Sequence, residues 1–125
     1  MNSRTDAPRL AYGYLRVLSG EAERAAYAQE QDMKGFADER GLQLVVIYHE
    51  IVCGALVAFN ELVDALRYTG ARHVLVPSLA HLGESGPLRG ALLDRLEFGI
   101  DAHVHALDEY VDATLVTARS LATGA

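Results

Sequence analysis

The sequence predicts an α/β domain, a three-layer sandwich in which a mainly parallel four-stranded sheet is flanked by helices. Three observations point there. Short apolar runs, several rich in β-branched residues, alternate with segments of helical periodicity along the whole chain. Glycine or proline stands at most of the junctions between them. The chain has 125 residues, half of them apolar, which is enough for one compact core.

Leu10 to Leu18 reads as a first strand, with Tyr12, Tyr14 and Val17 among its apolar members, and Ser19-Gly20 breaks it. From Glu21 to Arg40 the pattern is helical: Ala22, Ala25, Ala26, Gln29, Met33, Phe36 and Ala37 form one face, and Gly41 stops it. Leu42 to Tyr48 is a nearly unbroken apolar run, the composition of a strand buried on both faces. His49 to Ala58 is expected to be a loop, and Asn60 to cap a helix running to about Tyr68. Gly70 ends that helix, and His73 to Val76 forms a third strand closed by Pro77. Leu79 to Ser85 is expected as a polar loop, followed by a helix from Gly86 or Pro87 to Phe98. Gly99 stops it, Asp101 to Leu107 forms the fourth strand, and Glu109 to Leu121 forms a last helix. The resulting division is a flexible N-terminus over 1–9, one domain over 10–107 and a short helix or tail over 108–125.

Charge and composition narrow the function. The formal charge is −6, and the arginines are scattered with no basic cluster, whereas a phosphate-gripping protein needs a basic face. No apolar run approaches the roughly 18 to 20 residues of a membrane span. Met1 to Pro8 lacks the apolar stretch of a secretory signal, and the single Cys53 cannot form an intrachain disulfide, so a cytoplasmic location is expected. Lys34 is the one lysine among many arginines, a bias that suggests a GC-rich bacterial genome. No glycine-rich phosphate loop is present, and no cofactor is expected.

Gly13-Tyr14-Leu15-Arg16-Val17 resembles the opening strand of the serine recombinase catalytic domain, the resolvase and invertase family. The likeness extends from about Leu10 to Leu107. It includes Gln31, Phe36, Ala37 and Gly41 in the first helix, and Val45 to Glu50, with Glu50 in place of an aspartate. It also includes Gly54, the spacing from Leu79 to Ser85, and Gly99-Ile100. The resemblance implies a resolvase-like three-layer fold, a serine nucleophile two residues after Arg16, and arginines around a DNA phosphate.

The departures from that pattern fall on the chemistry. Leu18 occupies the nucleophile position, and Ser19 follows one residue late. A strand alternates its side chains, so that shift turns a hydroxyl to the other face unless the strand ends or bulges. The family's Leu-Asp-Arg-Leu-Gly-Arg loop stands here as Leu79-Ala80-His81-Leu82-Gly83-Glu84. Near Phe59 and Asn60 the arginine of the mobile loop is missing as well. Phosphoryl transfer depends on positioned positive charge, and one lost donor costs on the order of 3 kcal/mol of barrier. Only about eighteen residues follow Leu107, so no helix-turn-helix reader of DNA is expected.

Individual residues admit two readings each. Ser19 is either a nucleophile or the cap of the helix at Glu21. Arg16 either binds an anion at the strand end or pairs with Glu50 or a neighbouring acid. His81 either replaces an arginine when protonated or is an exposed loop histidine, and Gln31 joins Arg16 and His81 as an anion-binding candidate. His103 and His105 share a strand face, a weak metal signal, and no metal is expected. Cys53 is an apolar filler or a redox thiol.

Two functions of different class follow. One is a catalytically inactive, recombinase-like domain acting as an oligomerisation or protein-interaction module, a homodimer with little DNA binding of its own. The other is a divergent recombinase subunit exchanging DNA strands through Ser19 and Arg16, completed by a partner.

Overall fold

A computed structural model of the chain describes residues 9–17, 22–51, 56–83 and 85–109. The elements are β1 (Arg9–Arg16), α1 (Ala22–Glu39), β2 (Leu42–Glu50), α2 (Val57–Thr69), β3 (His73–Val76), α3 (Gly86–Asp94) and β4 (His103–Ala106). A 3-10 turn spans Leu79–Leu82, and a π-helical turn, Arg95–Gly99, continues α3. The four strands form one parallel sheet in the order β2-β1-β3-β4.

That order decides the layers. The β1-to-β2 step runs one way across the sheet, and the later steps run the other way. Right-handed crossovers then put α1 on one face and α2 and α3 on the opposite face. On the first face Met33, Phe36 and Ala37 of α1 pack on Ala11, Leu15 and Leu75. On the second, Phe59, Leu62 and Leu66 of α2 and Leu92 beyond them pack on Tyr12, Tyr14, Val74 and Val76. Gly13 lets α1 approach β1: a Cβ there would sit 2.7 Å from Met33 Cε and 2.9 Å from Ile47 Cγ1. Gly70 ends α2 at φ 75°, its N–H donating to Leu66 O at 2.9 Å. No described helix is long and apolar enough to cross a membrane.

Several expectations are corrected. Leu42–Tyr48 is not buried on both faces. β2 is an edge strand that runs on to Glu50, and Val45 and Val46 are 47% and 42% exposed. A bulge accompanies them: Ala11 aligns with Leu44 but Tyr12 with Val46, leaving Val45 as the extra residue. Asn60 does not cap α2. The helix starts at Val57, and Asn60 Oδ1 instead accepts a hydrogen bond from Arg95 Nη1 at 3.2 Å. The expected polar loop after β3 contains a 3-10 turn, and Ser85 caps α3 by accepting from Leu88 N–H. β4 is shorter than expected because Asp101 takes a left-handed turn at φ 65° before it. Of the segment expected as a last helix, Glu109 to Leu121, only Glu109 is described, in a helical turn over 107–109 that takes in Leu107, expected as the end of the fourth strand.

Candidate functional site

In an open parallel sheet the crevice for ligands lies at the strand carboxyl ends, where the strand order reverses. Here that point is between β1 and β3. The four strands end in Arg16, Glu50, Val76 and Ala106, so one of the four carries a cation.

Among the described residues, Glu50 is the buried polar one, 4% exposed. Its carboxylate accepts from Tyr14 Oη–H at 2.9 Å, Ala58 N–H at 3.1 Å and Phe59 N–H at 3.0 Å. The last two are free amides of the first turn of α2, so a strand residue caps a helix that lacks a side-chain cap of its own. Burial pushes the Tyr14 hydroxyl well up from its ordinary value; the hydrogen bond to Glu50 and its charge add to this, and the Arg16 guanidinium opposes it. Tyr14 is therefore a phenol that donates to Glu50, packed edge-on against Phe59 with ring centroids 5.7 Å apart.

Among the described residues Arg16 pairs neither with Glu50 nor with another acid. The ion pairs among the described residues are Arg40–Glu39, His49–Glu30 and Arg72–Asp101. Its backbone N–H instead donates to His81 Nδ1 at 3.0 Å. His81 is thus a half-buried residue tied to the end of β1, not an exposed loop histidine. Burial lowers its pKa and Arg16 lowers it further, while Asp108 opposes them. A ring that accepts at Nδ1 and resists protonation holds its proton on Nε2. Burial and the neighbouring guanidinium thus disfavour His81 as a cation. The 3-10 turn that holds it is anchored by Arg89, whose Nε–H donates to Gly83 O at 3.3 Å, and by Asp108, whose N–H donates to Pro77 O at 3.0 Å.

Arg16 and His81 are brought together, and Gln31 is not. It is exposed on α1, on the side away from Met33 and Ala37. Ser19, Cys53, Gly54 and Glu84 lie outside the described residues. The capping role of Glu50 escaped the sequence because eight residues separate it from Ala58. Arg89 was missed as well, since an arginine in mid-helix carries no local mark of a loop contact.

A second polar cluster lies on the α1 face, away from this crevice. His73 Nδ1 and His105 Nε2 are 3.1 Å apart in a hydrogen bond, and the His103 and His105 ring centroids are 4.3 Å apart. His103 and His105 were legible as a pair; His73 was not, because the register between β3 and β4 is a tertiary fact. Among the described residues no group of three or more ligating side chains is arranged to hold a metal ion. No protein-family model matches the chain, and no curated protein matches it.

Proposed function

We propose that this chain is a recombinase-like domain without strand-cleaving chemistry, working as an oligomerisation or protein-interaction module. One observation supports this above the others. His81, which stands where the resemblance implies an arginine, has its Nδ1 occupied by the Arg16 N–H, and burial disfavours its cationic form. Glu50, the other polar strand-end group, has its carboxylate occupied by Tyr14 and the α2 amides. Among the described residues, a phosphate entering the crevice would meet one strand-end guanidinium, where phosphoryl transfer calls for several cationic donors.

The second reading, a divergent recombinase subunit, draws on Arg16, whose guanidinium makes no ion pair among the described residues. Incubation with supercoiled plasmid and with nicked duplexes, followed by denaturing electrophoresis, separates the two. The proposed function predicts no nicking and no covalent protein-DNA adduct. An adduct that Ser19→Ala abolishes would establish the second reading.

A further inference from the structure

The edge of the sheet at β2 has the side chains of an interior strand. Leu42 to Tyr48 is apolar apart from Gln43, the pattern of a strand covered on both faces, yet the strand order gives it a neighbour on one side only. Natural edges are protected by shortness, by lysine or proline, or by a bulge that twists the edge away, and here only the bulge at Val45 is present. This one is nine residues long, about 30 Å, and contains neither lysine nor proline. Its bulge bends the strand at Val45 and leaves two adjacent valines in solvent. Ile51, just past the strand, is 67% exposed, and Val57 at the start of α2 is 63% exposed. Beside the strand runs an open groove of about 670 Å³, walled by Leu44, Val45 and Val46 on one side and by Glu30, Lys34 and Asp38 of α1 on the other.

We infer that this edge is an interface and that its occupant is a second copy of the chain. The inference rests on the proposed function as an assembly module and names the surface it uses. The choice of occupant comes from the charges along α1. Glu30 is held by His49 at 2.5 Å. Lys34 and Asp38, one turn apart, belong to none of the ion pairs among the described residues. A twofold axis across the β2 edge sets the two α1 helices antiparallel. With the axis midway between these positions, each Lys34 meets the Asp38 of the other copy. The row is thus complementary to itself under the symmetry that most homodimers adopt. A purely basic or purely acidic partner would find an unmatched charge at one of the two positions. The two β2 strands then run antiparallel, Val45 and Val46 are covered from across the axis, and the open strand edge gains partners for its backbone groups.

Sedimentation velocity on the full chain, from low micromolar to sub-millimolar concentration, tests this. Wild type is expected to sediment as a dimer at the upper end. Val45→Lys with Val46→Lys is expected to remain monomeric. Lys34→Asp, an exposed change that leaves the core intact, is expected to weaken association by about tenfold or more. Combining Lys34→Asp with Asp38→Lys should restore it. A monomer at every concentration overturns the inference. So does a dimer indifferent to both sets of substitutions, including one displaced by an extended peptide elsewhere, although assembly itself would then stand. A covalent DNA adduct would defeat the proposed function whatever the mass.

Discussion

At the scale of single residues, the buried carboxylate at the end of β2 serves the fold. Glu50 joins three elements through one carboxylate: Tyr14 of β1, its own strand and the start of α2. Replacing it with glutamine keeps the shape but turns an amide N–H₂ toward a donor and removes the charge from the helix terminus. Glu50→Gln is expected to cost about 1–3 kcal/mol. Thermal denaturation followed by circular dichroism should show a midpoint lowered by on the order of 5–10 °C. An unchanged midpoint would mean that the carboxylate is held for something other than structure. Tyr14, Arg16 and Gly13 were legible in the sequence as a cluster because they are neighbours in the chain. What they touch was not legible. Met33, Glu50 and His81 reach them from 20 to 65 residues away, and no local pattern marks such a contact.

At the scale of elements, legibility followed punctuation. β3 runs from His73 to Val76 as expected because Pro77 cannot continue a ladder. The start of α2 was misplaced because its cap comes from β2 and not from a residue before it. The π-helical turn after α3 has no local signature at all. β2 was misjudged for a different reason: composition reports how apolar a strand is, while its place in the sheet is set by crossovers elsewhere. The pairing of β3 with β4 likewise gathers His73, His103 and His105 on one face, with Arg9 of β1, Arg40 after α1 and the Phe36 ring nearby. Burial lowers the His105 pKa to about 4, and His103, His73, Arg40 and Arg9 add to the effect. Burial and the same kind of neighbours, Arg9 and His103, lower His73 too. Between the ordinary imidazole pKa of about 6.5 and that value, the unfolded chain takes up a proton that the folded chain refuses. The stability from this cluster is therefore complete above about pH 6.5 and is lost as pH falls toward about 4. The His105 shift corresponds to at most about 3 kcal/mol, and less after solvent screening. Denaturant titrations across this range should show the decline, and His105→Gln should flatten it. A wild-type stability that rises on acidification would contradict the assignment.

At the scale of the whole molecule, the described residues form a crevice at the strand ends in which Glu50 and His81 Nδ1 are already engaged, and an apolar β2 edge with a strand neighbour on one side. The first limits what the domain can do to a phosphodiester; the second suggests what it does instead. A net charge of −6 points the same way, since it opposes the approach of a polyanion except where a local basic face compensates. Fluorescence anisotropy of a labelled DNA duplex titrated with the full chain at low salt asks directly whether the crevice grips phosphate. The expected result is no saturable binding, the same for wild type and Arg16→Ala. Saturable binding that weakens steeply with added salt and disappears in Arg16→Ala would show a working phosphate site and contradict the account.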